Sequence, residues 1–205
     1  MQTFDLLHPK MQKAIYKMGW ERFRTIQDDA IQYLIKTPGD LIISAPTASG
    51  KTGACFLPII SNIIKDESMG IKILYISPLK ALINDQFVRV EKLCEELNFP
   101  IVKWHGDANQ TDKREMLKNP DGILLITPES IESLFVNKYN SIYNIFKNLQ
   151  YIVIDEIHSF LENPRGNHLF SLLNRIEERI GKRVPKIALS ATINDFSPIK
   201  KWLNF

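Results

Sequence analysis

Short apolar, β-branched runs recur along the chain, each closing on a polar residue or a turn, and between them lie stretches in which apolar residues return every three or four places. The runs at 41–44, 72–77, 101–104, 122–127, 151–155 and 186–190 predict six strands. The stretches at 53–64, 79–97 and 170–180 predict helices with one apolar face, and 193–205 predicts a last one. Strand alternating with helix predicts an α/β fold, a mainly parallel central sheet covered by helices on both faces. Five of the strands close on Ser44, Ser77, Thr127, Asp155 and Ser190, which a parallel sheet places along one carboxyl edge, where open α/β sheets bind ligands.

Residues 1–39 precede the first strand as an expected N-terminal helical extension, and 40–205 as the α/β domain proper. Pro9 is suited to start a helix running to about Gly19, and Thr25 to cap a second one ending near Pro38. A chain of 205 residues with 44% hydrophobic content supports one such domain. It has no run of about 20 apolar residues, and Met1 to Asp5 lacks signal-peptide character, so a cytoplasmic protein that avoids membranes is expected. Cys55 and Cys94 lack metal-ligand spacing and are expected as buried free thiols on two helices. The net charge of +3, from 26 basic and 23 acidic residues mixed throughout, offers no basic stripe. Any nucleic-acid site must then be local, built partly from backbone N–H groups and hydroxyls.

The run Ala45, Pro46, Thr47, Ala48, Ser49, Gly50, Lys51, Thr52 follows the first strand and opens a helix. That is a phosphate-binding loop: backbone N–H groups converge on a phosphate, Lys51 neutralises the β/γ oxygens, and the Thr52 hydroxyl is placed for Mg2+. Ala45 stands where the pattern opens with Gly, and Ala48 is expected at negative φ, because a Cβ strains the left-handed region. Farther along, 152–154 is an apolar strand that closes on Asp155 and Glu156. Beside a phosphate loop, one carboxylate holds Mg2+ and the other orients the attacking water; Asp155 is assigned to the metal and Glu156 to the water. His158 is accounted for as a hydrogen-bonded packing residue.

With Asp155-Glu156-Ile157-His158 the chain resembles a superfamily 2 helicase of the DEAD/DEAH-box class, over essentially its whole length. Matching segments occur in family order: 23–27 like the glutamine motif, 45–52 like motif I, 77–82 like motif Ia, 127–130 like motif Ib, 155–158 like motif II and 190–192 like motif III. The segments at 7–9, 19–20, 77–86, 105–107 and 164–166 look most like the Lhr group. The resemblance implies a first RecA-like domain that binds ATP and Mg2+ and couples hydrolysis to movement on DNA or RNA, with a second RecA-like domain beyond the present chain. A nucleic-acid-binding or remodelling module that uses ATP only as a conformational clamp is the alternative.

Lys51 and Glu156 are then the catalytic residues, and Gln27 reads adenine with one amide donor and one acceptor. Phe23, Phe4 or Trp20 is available to stack near the base, and a core role accounts for each as well. Ser77, Pro78 and Lys80, with Thr127 and Pro128, are implied to contact the backbone of a nucleic-acid strand, and helix capping fits the same residues. The hydroxyls of Ser190 and Thr192 are implied to bond towards the acids of motif II and couple the two sites. His105-Gly106-Asp107 is read as a turn or a further contact, and Arg165-Gly166 as a surface turn by default, with nucleic-acid contact as the alternative.

Overall fold

Backbone pairing assembles six strands, β1 (Leu41–Ser44), β2 (Gly70–Ile76), β3 (Ile101–Trp104), β4 (Asp121–Ile126), β5 (Tyr151–Ile154) and β6 (Lys186–Ser190), into one sheet of order β1-β6-β5-β2-β4-β3. Every pairing is parallel. The computed structural model describes residues 3–37, 39–161 and 163–203. The described residues form nine helices: α1 (Pro9–Lys17), α2 (Thr25–Lys36), α3 (Lys51–Ile63), α4 (Lys80–Leu97), α5 (Gln110–Lys118), α6 (Pro128–Asn137), α7 (Ile142–Phe146), α8 (Pro164–Ile180) and α9 (Ser197–Leu203); parallel strands need crossovers, and α3 to α8 supply them. The expected helix ending near Pro38 stops at Lys36, and Pro38 itself lies outside the described residues, as do Asn204 and Phe205 of the expected last helix.

Four strands are flanked on both sides and bury nearly every residue, which is why they read as unbroken apolar runs rather than as alternation. The edge strands β1 and β3 are only half-buried. Two apolar clusters lie on the two sheet faces. One joins α1 to α4 with Ile43, Ile73, Tyr75, Val153 and Leu189. The other joins α6 to α9 with Leu74, Leu124, Ile152, Ile154 and Ala188. The N-terminal helices belong to the first cluster: Met11, Ile15, Ile31 and Leu34 are buried in it beside Phe56 and Leu57 of α3. Cys55 and Cys94 are buried free thiols on α3 and α4.

Register decides what stands along the carboxyl edge. Ser44 pairs with Ser190, Ile154 with Ala188 and with Ile76, and Ile76 with Ile126. The residues that end these strands therefore stand in one row at a strand spacing of about 4.8 Å. The loop after β1, Ser190, Asp155, Ser77, Thr127 and His105 follow one another across it. Because β6 and β5 insert between β1 and β2, successive strands diverge there and leave a crevice at the carboxyl ends.

Candidate nucleotide and nucleic-acid site

The loop after β1 is anchored at its base by Ala45, whose N–H donates to the Ser190 carbonyl at 3.3 Å, and it turns back where Ser49 N–H donates to Pro46 O. Gly50, at φ 97°, caps α3 in the left-handed region. The first turn of α3 then offers N–H groups that have no partner within the helix, the arrangement that receives phosphate. Lys51 Nζ folds over the loop and donates to the Ala45 carbonyl at 2.6 Å and the Pro46 carbonyl at 3.2 Å. Phosphate oxygens make stronger, charge-assisted partners for this ammonium than amide carbonyls do.

Ala48 departs from expectation. Its φ is 61°, not negative. The loop needs a left-handed residue between Pro46 and Gly50 to bring its carbonyl outward, where the Arg24 guanidinium donates to it. That contact holds a conformation costing about 1 to 2 kcal/mol for a residue with a Cβ. Replacing Ala48 with Gly removes the strain at a chain-entropy cost of about 0.5 to 1 kcal/mol, so Ala48→Gly should melt no lower than wild type and bind ADP at least as well. A thermal melt and calorimetry check this, and a clear loss in either would show that the methyl group itself is needed.

Gln27 joins the helical extension to this loop. Its Oε1 accepts the Arg24 N–H at 2.9 Å and its Nε2 donates to the Gly50 carbonyl at 3.3 Å. Arg24, not Thr25, caps α2, and Thr25 is its first helical residue. One lone pair and one N–H of the amide remain, and the residue lines a cleft of about 430 Å3 with Trp20, Arg24, Gly50, Thr52 and Gly53. A Cβ on Gly53 would lie 2.6 Å from Gln27 Nε2 and 3.3 Å from the Trp20 ring, so a side chain there would displace the Gln27 amide from its place over α3. Of the three aromatic candidates, Phe4 and Phe23 pack on each other at 6.3 Å against the core, and Trp20 stands at the cleft.

Thr52 Oγ1 donates to Gln86 Oε1 of α4 at 2.9 Å, leaving its lone pairs for a cation. Asp155 is buried, with Oδ2 accepting the Tyr75 hydroxyl at 2.5 Å. Burial pushes its carboxyl above the ordinary range; the Tyr75 hydrogen bond and the Lys51 charge pull it down, and the Glu156 charge pushes it up. Among the described residues no group of three or more His, Cys, Asp or Glu could hold a metal ion by itself. Two hard oxygens beside a phosphate loop instead fit Mg2+, which keeps waters and shares its shell with phosphates. Between the ordinary 3.8 and the folded value, the native chain holds a proton that the unfolded chain has lost, so stability falls as pH rises through that window. Asp155→Asn should therefore melt above wild type at about pH 7.5, with the gap closing towards about pH 4. A melting series over pH checks it, and a gap independent of pH would refute the charge argument.

Glu156 adopts φ 47°, one of three non-glycine residues at positive φ among those described; a second is Ala48. Two strained residues in one crevice are a usual mark of a functional site. Ser190 does not reach the acids as expected. Its hydroxyl bonds His158 Nδ1 at 2.9 Å, and that nitrogen lies 3.4 Å from Glu156 Oε2, so the link to Glu156 runs through the imidazole. Thr192 is exposed beyond the strand end.

On the far half of the edge, Ser77 is wholly buried and its hydroxyl has no partner. Pro78, Thr127 and Pro128 are buried too, and Thr127 caps α6 by accepting the Ser130 N–H. The cation these turns present outward is Lys80, the first residue of α4, beside exposed Leu79; its Nζ pairs with Asp107 at 2.9 Å. Arg165 is no surface turn. It lies in the first turn of α8 and donates to the Pro78 carbonyl at 2.6 Å and to Glu129 at 2.7 and 3.1 Å. Gly166 fixes its place, since a Cβ there would sit 1.6 Å from the Phe160 carbonyl oxygen. Two cations thus tie three turns together, Lys80 joining 77–80 to 105–107 and Arg165 joining 77–80 to 127–130. Sequence reasoning passed over Tyr75 and Gln86 and placed Arg165 in a loop; Asn163-Pro164, a cap followed by a first-turn proline, was the signal for the start of α8.

Residues 24–199 match the family model for DEAD/DEAH box helicases. The chain is 36% identical over 203 residues to an ATP-dependent helicase Lhr-Core of Sulfolobus acidocaldarius, covering 92% of this chain and 23% of that protein. It is 31% identical over 222 residues to the Lhr-Core helicase of Methanothermobacter thermautotrophicus, covering 98% of this chain and 25% of that one. The present chain thus spans about a quarter of the length of these relatives. Its fold superposes on a Mycobacterium smegmatis helicase Lhr bound to ssDNA and AMP-PNP with a TM-score of 0.86 at 23% identity, covering 98% of this chain and 27% of that one. On the DUF1998 helicase MrfA bound to DNA the TM-score is 0.82 at 28% identity, covering 98% and 28%.

Proposed function

The chain belongs to the DEAD/DEAH box helicase family, and from that premise we propose that it is the ATP-binding first RecA-like domain of an Lhr-like helicase, driving movement on or unwinding of DNA or RNA. The observation that carries this reading is the placement of the phosphate loop beside Asp155 and Glu156, across β1, β6 and β5 of one sheet edge. Lys51 and the first-turn amides of α3 hold the phosphates, and Gln27 and Trp20 line the side where the base enters. Thr52 and Asp155 would hold Mg2+, which supplies charge neutralisation at the β/γ oxygens. Glu156 orients the attacking water. No helix among the described residues is long and apolar enough to cross a membrane, and the reading assigns the cytoplasm.

A nucleic-acid strand fits the other half of the edge. Buried Ser77, Pro78, Thr127 and Pro128 shape the turns there, while Lys80 and the N-terminal amides of α4 and α6 face the phosphates. ATP closes a second RecA-like domain onto this one, and that domain belongs to a longer protein.

Two measurements test the reading together. Calorimetry with Mg2+ should give tighter binding of ATP than of GTP; equal affinities would sink the role of Gln27. Fluorescence anisotropy with a single-stranded oligonucleotide at low salt should give weak, steeply salt-dependent binding. Lys80→Ala should then lower the salt slope by about 1 without changing base preference. Arg165→Ala, which frees both turns, should weaken oligonucleotide binding and leave ADP binding unchanged. An unaltered oligonucleotide affinity in both variants would remove this half of the edge from the nucleic-acid site.

A further inference from the structure

Tyr75 lies on β2 among aliphatic neighbours and is wholly buried, with its ring stacked on Phe56 of α3 at a centroid distance of 5.7 Å. Phenylalanine would fill the same space. The hydroxyl therefore answers to its partner, and that partner is Asp155 Oδ2 at 2.5 Å. Phe56 stands one helical turn beyond Thr52 on α3. One side chain thus touches both the helix that carries Thr52 and the carboxylate that ends β5. Asp155 N–H also donates to the carbonyl of Ile76, the neighbour of Tyr75, at 2.8 Å, so backbone and side chain of the acid are both fixed by β2.

We propose that Tyr75 is a positioning residue for the metal site: its hydroxyl holds one oxygen of Asp155 in a single orientation and leaves the other as the ligand for Mg2+. The inference rests on the assignment of Asp155 to the metal. Partners that orient a ligating carboxylate are worth about 10- to 100-fold in metal affinity. A neutral phenol stands at the low end of that range. Neither the phosphate loop nor the nucleotide cleft includes Tyr75, so binding of the nucleotide without metal does not depend on its hydroxyl.

The test is ADP affinity by calorimetry, with excess Mg2+ and with excess chelator, for wild type, Tyr75→Phe and Asp155→Asn. Tyr75→Phe should keep the metal-free affinity within about twofold and lose about tenfold of the gain that Mg2+ confers, while Asp155→Asn loses most of that gain. A full Mg2+ gain in Tyr75→Phe, with Asp155→Asn impaired, would overturn the proposal and leave the metal assignment standing. Loss of affinity in both arms together, or loss of folding, would assign the hydroxyl to the core and overturn it equally. A full gain in Asp155→Asn would overturn the metal assignment itself and Tyr75's role with it.

Discussion

Lys51→Ala should lower ADP and ATP affinity about a hundredfold while leaving the thermal midpoint nearly unchanged. The ammonium makes its hydrogen bonds only within its own loop, to the Ala45 and Pro46 carbonyls, so truncation leaves no buried donor or acceptor stranded in the core. Bound phosphate is different. Hydrogen bonds from a charged group to an anion contribute about 1.5 to 3 kcal/mol each, and every 1.4 kcal/mol is about tenfold in affinity. Calorimetry on the two chains, with melting curves beside it, separates the effects. A loss below about tenfold, or a large fall in the midpoint, would mean that Lys51 serves the loop's fold rather than the phosphates.

The sheet was legible because its central strands are buried on both faces. Runs such as 123–126 and 151–154 have no polar alternation to misread, and the chain's own turns mark their ends. The phosphate loop and the Asp155-Glu156 pair were legible for another reason: their chemistry is local, and their spacing along the chain is their spacing in space. Ala48 was misjudged because its φ is set from outside, by loop closure and by a guanidinium 24 residues earlier. No property of alanine announces that.

Partners across the fold were equally hidden. Tyr75 reads as one more strand former, Gln86 as one more polar helix residue, and only the pairing of β2 with β5 and the packing of α4 against α3 bring them to Asp155 and Thr52. Ser190 was expected to face the acids and meets His158 instead, because the side chain of His158 lies between them. Arg165 was placed on a surface turn because 163–168 is polar. The segment is helical all the same, capped by Asn163 and pressed onto Phe160 through Gly166.

Glu156→Gln should abolish turnover and spare binding, and it separates the role of this acid from that of its neighbour. Glu156 is held at φ 47° between buried Asp155 and the 3-10 turn at Ile157–Phe160, with Ser159 N–H on its carbonyl and His158 beside its carboxylate. Glutamine has the same shape and keeps an acceptor for His158, so the strained backbone and the neighbouring Asp155 are preserved. What it lacks is the negative charge that draws a proton from the attacking water, a contribution of about 10^2 to 10^4 in rate. The 205 residues alone should hydrolyse ATP slowly, since an arginine supplied by a closing partner adds about 10^3 to 10^5 in related phosphoryl transfers. The comparison therefore belongs in a longer chain that carries a second nucleotide-contacting domain, as steady-state phosphate release with and without nucleic acid. There, Glu156→Gln should remove the stimulated rate while Mg2+-ADP affinity stays within about threefold, because no phosphate contact is lost. Stimulated turnover surviving in the variant would take the water-orienting role away from Glu156, and a parallel collapse of ADP affinity would make it a binding residue instead.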